Sequence, residues 1–431
     1  MRNALILLTA TTLAACGGGD AQSVSGTVVS SGTPGTSGTT PTGQTDLYAQ
    51  FVTPTVARTY SGVGVTQVLS YTTDDRTLTN GTTGLVGARG QQALTYAGNA
   101  STVRDSKIQI SYDPRDAIFT LRVTDPRSNA TANTRFQDPG SRTNFGGAKE
   151  PQWGNENFAA FTGIAQNTNI RFLQAGDGDP LSPYGSSGSG FVSPGNIFTP
   201  PDGSSGSTYQ STTLFYEVPG SSTSYVSLAG YVRNDVKWID TTLGTQTIQQ
   251  TQWKLERGAF AYGIITENSA VPTAGTGTFT GNMIGTLIFN PTLDATNSYP
   301  NYFQWMAGTS TTVVNFATGA VTLALNGTVG TPKFDRYSSP NAVSLATGTS
   351  FTANGTATID LVRNGGFVGQ FQSARFGATT DGSTPIVTIA GSSLDGAFFG
   401  PTANEVGGGF RITGGTPDQR IDIAGAFKGK R

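Results

Sequence analysis

Two stretches near the end of the chain alternate strictly between apolar and other side chains. Val406, Gly408, Phe410 and Ile412 alternate with Glu405, Gly407, Gly409, Arg411 and Thr413. After Gly414-Gly415-Thr416-Pro417-Asp418, Ile421, Ile423, Gly425 and Phe427 alternate with Arg420, Asp422, Ala424, Ala426 and Lys428. A period of two sends successive side chains to opposite faces of an extended strand. The pattern therefore dictates antiparallel strands, each with one buried face, joined by a turn of residues that tolerate unusual backbone angles. Glycine on the buried face suits a small closed barrel, where strands bend and one ring fills the space above its neighbour.

The same alternation recurs upstream. Gly277, Phe279 and Gly281 alternate with Thr278 and Thr280; Val321, Leu323 and Leu325 alternate with Thr322 and Ala324; Phe351, Ala353, Gly355, Ala357, Ile359 and Leu361 form one face of a whole strand. Residues 316–321 supply a tight connection and Arg363-Asn364-Gly365-Gly366 a hairpin turn. Residues 275–431 thus predict about eight strands, a number whose interior is just filled by side chains. Binding is expected on the rim or on the other domain.

The motif Gly396-Ala397-Phe398-Phe399-Gly400-Pro401, with Ala403, Glu405, Gly407, Gly408 and a terminal Gly425-Ala426-Phe427, resembles the C-terminal barrel signature of transferrin-binding protein B and related surface lipoproteins. The resemblance extends over residues 272–431 and more weakly into the strands before them. Residues 224–231, then Phe260 to Gly263, then Val271-Pro272 and Gly275, resemble the family's passage from handle domain to barrel. The resemblance implies an all-β protein: an N-terminal β-rich handle domain and a C-terminal eight-stranded antiparallel β-barrel. Glu405 reads as structural, capping or pairing with strand-end groups beside the Gly400-Pro401 turn.

At the other end, Arg2 precedes the apolar run 4–8, and Leu13-Ala14-Ala15 precedes Cys16, the single cysteine. This is a lipoprotein signal with its lipobox, and Cys16 is the expected lipidation site; the alternative is a secretory signal followed by an incidental cysteine. Two or three acyl chains, at about 0.8 kcal/mol per buried CH₂, anchor stably without a transmembrane helix. Residues 17–45 are Gly, Ser, Thr and Pro and cannot bury enough surface to fold. As a tether they reach about 30 Å on average and roughly 100 Å when stretched. The expected organisation is signal peptide 1–15, lipidated cysteine and linker 16–45, handle domain 46–270 and barrel 271–431.

Within the handle region, residues 107–112 and 117–123 flank Asp113-Pro114-Arg115-Asp116, a hairpin with proline at the second turn position. Further strands are expected at 63–72, 169–174, 212–217, 224–236 and 259–266. Two long connections, 125–158 and 175–210, carry aromatic and arginine side chains among polar residues. Long connections are functional or disordered, and aromatics in them point to a partner surface or to packing on the domain. The candidate ligand- or partner-binding residues are Arg135, Arg142, Trp153, Tyr184, Phe191 and Phe198.

Composition narrows the chemistry. The chain has no histidine, which removes Ser-His-Asp triads, HExxH zinc sites and His-ligated haem. Its formal net charge of −1 and 12% charged residues point away from nucleic acid. Asp177-Gly178-Asp179 lacks the further ligands of a calcium loop. Glu150, Glu156, Glu217 and Glu256 are the carboxylates a glycosidase could use, with no motif pairing them. Tyr184, Tyr209, Tyr225, Tyr231 and Tyr262 are the available axial ligands for haem. No catalytic residue, metal site or cofactor beyond the lipid on Cys16 is expected. The resemblance implies a non-enzymatic outer-membrane lipoprotein, displayed on the cell surface, that captures an extracellular protein or small ligand for iron, haem or other nutrient uptake through a TonB-dependent receptor. The rival is a structural or adhesive surface lipoprotein that binds glycan or matrix.

Overall fold

The computed structural model describes residues 49–77, 84–85, 99–126, 128–137, 152–153, 169–176, 205–243, 246–290, 302–330, 333–334, 345–377, 387–415 and 420–431. Thr40–Arg431 form one compact unit, built from two antiparallel sheets. The first contains β1 (Arg58–Thr77), β2 (Gly84–Leu85), β3 (Asn99–Asp113), β4 (Ile118–Thr124), β5 (Thr131–Gln137), β6 (Gln152–Trp153), β7 (Ile170–Gly176), β8 (Thr208–Glu217), β9 (Val226–Leu243) and β10 (Gln246–Gly263). Their order is β5-β4-β3-β1-β10-β9-β8-β7-β6, with β2 beside β1. The second contains β11 (Thr276–Asn290), β12 (Tyr302–Asn315), β13 (Ala320–Val329), β14 (Lys333–Phe334), β15 (Ser350–Asp360), β16 (Gly366–Phe376), β17 (Ile389–Phe399), β18 (Glu405–Gly414) and β19 (Arg420–Lys430). There β11 pairs with both β19 and β12, which closes an eight-stranded barrel, while β14 attaches to β12 outside the ring.

The barrel interior is filled, as the alternation demands. Phe279, Leu287, Leu323, Phe351, Phe367 and Phe427 belong to one buried cluster. The inward glycines are there for rings: a Cβ on Gly396 would sit 2.2 Å from the Phe367 ring, and one on Gly425 2.5 Å from the Phe410 ring.

The first sheet curls until β5 approaches β7. Its inner face meets itself in a core to which each of eight strands contributes, through Tyr60, Ile108, Leu121, Phe136, Leu173, Leu214, Tyr231 and Phe260. Helical residues 49–52 stop one end; the Phe51 ring meets those of Tyr60 and Tyr262 at 5.2 and 5.9 Å. We call this the closed end. The 113–117 hairpin lies there, and the Arg115 N–H donates to Asp113 Oδ1 at 3.0 Å, the local bond that favours Asp before a turn. The opposite end, where β1, β7 and β9 finish at Thr77, Gly176 and Leu243, is the open end.

Three features differ from the reading of the sequence. Residues 131–137, expected inside a long connection, form the edge strand β5. Strand β10 begins at Gln246, well before the expected 259, because its polar first half still completes the ladder with β1 and β9. The largest difference is that β18 and β19 are buried on both faces. Their second face carries Gly407, Gly409, Ala424 and Ala426, and the first sheet docks on it. A Cβ on Gly409 would lie 2.2 Å from the Gly64 carbonyl carbon, and one on Gly407 2.7 Å from the Ala261 Cβ. A mixed cluster seals the contact: Val63, Phe215, Val226, Leu228 and Ala261 from one sheet, Ile284, Trp305, Ala397, Phe399 and Ala426 from the other. The Phe215 and Trp305 rings meet edge to face at 4.6 Å.

Backbone cannot give way as a side chain can. Gly409→Val is expected to lower the unfolding free energy by about 3 kcal/mol, the upper range for overpacking. Gly391→Ala, at a β17 position with nothing within 4 Å of the added carbon, should change it by no more than about 0.5 kcal/mol. Urea titration of the two variants measures both.

Candidate functional site

The inner face of the curled sheet changes character from the closed end to the open end. On β10 that face carries Phe260, Gly258, Glu256, Lys254 and Gln252; on β9 it carries Tyr231, Arg233, Asp235 and Lys237. Cross-strand partners align Glu256 with Arg233 and Thr212, then Lys254 with Asp235 and Gln210, then Gln252 with Lys237 and Thr208. The first row is buried, Asp235 is half-buried, and Lys254, Lys237, Gln252, Gln210 and Thr208 are exposed. Apolar core thus gives way to a buried polar layer and then to a wetted concave face.

The polar layer is tightly knit. Tyr231 Oη donates to Glu256 Oε1 at 2.7 Å, and one Arg233 guanidinium donates to Glu256 Oε2 and to Thr134 Oγ1 of β5, both at 3.0 Å. Arg233 also stands 5.8 Å from the centre of the Tyr231 ring. This arginine therefore ties β9 to β10 and, across the interior, to β5. Burial, with the Glu256 charge next, pushes the Tyr231 hydroxyl far up, so it stays a donor. Burial also raises Asp235, against the opposing charges of Arg233 and Lys254. Signs alternate over the layer and the row above it, and Lys237 adds a further positive charge at the open end.

The seam between the sheets holds this face in place. The Glu405 carboxylate accepts the backbone N–H groups of Ser224, Tyr225 and Val226 at 2.6, 2.7 and 3.0 Å. It therefore does hold strand-end groups: Val226 opens β9 of the other sheet, and Ser224 and Tyr225 immediately precede it. Burial raises its pKa against the pull of those three bonds. Nearby, Lys428 pairs with Glu217 at 2.8 Å, the two side chains 1% and 2% exposed. Its Nζ also donates to Ser222 Oγ and Thr223 Oγ1 at 2.6 and 2.7 Å. Burial lowers the lysine and the Glu217 charge opposes that shift. At the far side Arg104 of β3 clasps the Asp395 carboxylate of β17 through Nε and a terminal nitrogen, and donates to the Gly396 carbonyl at 3.1 Å. A cavity of about 20 Å³ along the seam, lined by Ile170, Phe215, Glu217, Leu228, Met283 and Ile284 among others, has room for about one water.

Of the residues singled out in the sequence, Arg135 is exposed on β5, opposite Thr120, and Trp153 lies in β6, paired with Leu173. Cys16, Arg142, Tyr184, Phe191 and Phe198 lie outside the described residues, as do Glu150, Glu156 and Asp177 to Asp179. The segment carrying Tyr184, Phe191 and Phe198 leaves β7 at Gly176 and re-enters β8 at Thr208, both at the open end; the one carrying Arg142 leaves β5 at Gln137, at the closed end. Glu217 and Glu256 are separately committed to Lys428 and Arg233. Tyr231 and Tyr262 are core residues, and the Tyr225 N–H serves Glu405. Among the described residues no three His, Cys, Asp or Glu side chains come together as a metal site. Sequence reasoning missed Arg233 and Lys428, and named Tyr231 and Glu256 only as a candidate haem ligand and a candidate glycosidase carboxylate; for the polar layer the signal in hand was charged residues at every second position of β9 and β10, which only the cross-strand register turns into pairs.

No protein-family model matches the chain, and no curated protein matches it. Among solved structures it is similar to transferrin-binding protein B from Haemophilus parasuis, with 15% identity, 87% of this chain and 76% of that one covered, and a TM-score of 0.28. It is similar to transferrin-binding protein B from serogroup B Neisseria meningitidis, with 11% identity, 87% and 77% covered, and a TM-score of 0.23. HpuA from Kingella denitrificans, in complex with human haemoglobin, shares 12% identity, with 73% and 83% covered and a TM-score of 0.18. The first two belong to the family whose barrel motif this sequence resembles. Likeness of this degree carries no argument of its own, and the fold stands on the strand pairing.

Removing one member of a buried ion pair strands the other. Arg233→Met is expected to destabilise by about 3–5 kcal/mol, and the double variant Arg233→Met with Glu256→Gln to lose less than the single. Denaturant unfolding of the two variants checks this.

Proposed function

We propose that this chain is a lipid-anchored outer-membrane protein, displayed on the cell surface, that captures an extracellular protein or small ligand without chemical turnover. The observation that carries the reading is the open end of the first sheet's inner face, where Thr208, Gln210, Lys237, Gln252 and Lys254 are exposed beyond the buried polar layer. The barrel interior is packed with rings and leaves capture to the other sheet. The segment holding Tyr184, Phe191 and Phe198 joins β7, which ends at Gly176, to β8, which begins at Thr208, both at that open end, and this connection supports assigning its aromatic residues to partner contact. The lipobox at Cys16 and the tether after it support presentation away from the membrane. The barrel motif's resemblance supports delivery to a TonB-dependent receptor. Transferrin and haemoglobin are named with those other proteins and are not carried over.

Two experiments test this. Cys16→Ser should leave the protein unprocessed or release it from membranes, as fractionation would show; full membrane retention after signal cleavage contradicts the anchor. In a binding assay with a partner recovered from the native medium, Tyr184→Ala, Phe191→Ala or Phe198→Ala should weaken capture by about 1–4 kcal/mol if these are hot spots, while Thr322→Ala on the exposed barrel face should not. Unchanged growth of the deletion strain on every iron and nutrient source, with loss of glycan or matrix adhesion, would favour the adhesive reading.

A further inference from the structure

Three large apolar side chains are exposed among the described residues: Val56 at 54%, Val313 at 40% and Val362 at 91%. All three lie toward the closed end. Val56 stands between helical residues 49–52 and the start of β1 at Arg58. The barrel ends on the same side, because just past the end of β10 the Gly400 N–H donates to the Ile264 carbonyl at 2.8 Å and the Thr266 N–H to that of Phe398 at 2.9 Å. On this rim the turn between β15 and β16 carries Val362 at its tip, and the Asn268 side chain donates to the Leu361 carbonyl at 2.7 Å. Val313 stands two residues before β12 ends at Asn315, whose partner Thr276 opens β11 at the same rim.

The tips at Val56 and Val362 are held in place. Asp360 accepts the Arg363 N–H at 3.0 Å and the Asn364 side chain at 3.1 Å, which fixes the turn that presents Val362. The Gln50 side chain brackets Thr55, the residue before Val56, with bonds of 2.8 and 3.0 Å. An apolar side chain held in water contributes nothing to folding; its free energy is gained only on leaving water. Basic groups accompany these tips. In the loops and the last residues at this end Arg115, Arg363, Lys430 and Arg431 are exposed, against Glu267 as the exposed acid. Arg115 stands 4.0 Å from half-buried Asp116, and Asp113 and Asp360 serve turn bonds. Apolar tips among basic groups suit the headgroup layer of an anionic lipid surface. The described chain begins at Ala49, so the segment that leads back to Cys16 joins the body at this end.

We propose that the closed end is a membrane-docking face: Val56 and Val362, with Arg363 and the other basic groups of that end, settle into the anionic headgroups of the lipid surface that holds the anchor, which turns the open end toward the medium. The proposal rests on the lipid-anchor reading. The tether, with a mean reach of about 30 Å, sets the distance, and the face sets the orientation. The test reconstitutes the processed lipoprotein on vesicles of phosphatidylethanolamine and phosphatidylglycerol that carry lipids brominated high on the acyl chains. Tryptophan quenching is compared between the native chain, whose own four tryptophans set the baseline, and Val56→Trp, Val362→Trp and Thr208→Trp. Quenching above the baseline is expected for Val56→Trp and Val362→Trp and not for Thr208→Trp at the open end. Adding Arg363→Glu to Val56→Trp should reduce its excess quenching several-fold, as should replacing phosphatidylglycerol by phosphatidylcholine. Protein absent from the vesicles would refute the anchor and this proposal with it. Protein bound to the vesicles, but with Thr208→Trp quenched as strongly as Val362→Trp, with neither valine position quenched, or with quenching indifferent to lipid charge, would overturn the docking face alone.

Discussion

The close approach of the two sheets, backbone to backbone at Gly64 and Gly409, is the constraint on which the other features depend. At that separation no side chain can separate the layers, and where the sheets touch, at Gly407, Gly409, Ala424 and Ala426, the face of β18 and β19 is built from glycine and alanine. Polar groups trapped there must find partners in the opposite sheet. Glu405 meets this condition with the N–H groups of Ser224, Tyr225 and Val226, where the chain enters β9. Lys428 meets it with Glu217 and two hydroxyls. Each contact is geometrically specific, so the sheets have one way to dock. Buried ion pairs are weak evidence for stability but a plain means of fixing register.

Docking on one face of β1, β9 and β10 leaves their other face to the curl. These strands reach 20, 18 and 18 residues, longer than the contact with the barrel requires, and they run on to the open end. The interior they enclose is sealed by aromatic packing at the closed end and crossed by the Arg233, Glu256 and Thr134 layer, beyond which lysine, glutamine and threonine face solvent. Structure and candidate function are thus separated along the same strands: rigidity is set in the lower half, and recognition is available in the upper. A rigid concave face loses less entropy on binding than a mobile one.

Much of this was legible in the residues. The alternation in β18, β19 and β15 and the turn residues between strands point directly to the closed barrel, and the Asp113-Pro114 hairpin forms as its local bonding dictates. The second buried face was not legible as such. Gly407, Gly409, Ala424 and Ala426 carry almost no hydropathy signal, and Arg411, Asp422 and Lys428 between them resemble an ordinary wetted face. Strand β10 was cut short for a related reason: Gln249, Gln250, Gln252 and Lys254 are polar, and the ladder that holds them is made by backbone bonds to two long neighbours. The pairing of Arg233 with Glu256, 23 positions apart, follows from the β9–β10 register. Only the existence of two charged strands can be read without it.

The account's central claim is that Glu405 and the glycine contact make the two sheets one body. Hydrogen exchange at the amides of Ser224, Tyr225 and Val226 addresses it most directly, comparing the native chain with Glu405→Ala. If the claim holds, these amides exchange in the native chain only through global unfolding, and in the variant they become rapidly exchanging while the barrel core at Leu323 and Phe351 stays protected. Equal protection of the three amides in both proteins, or fast exchange already in the native chain, would contradict it.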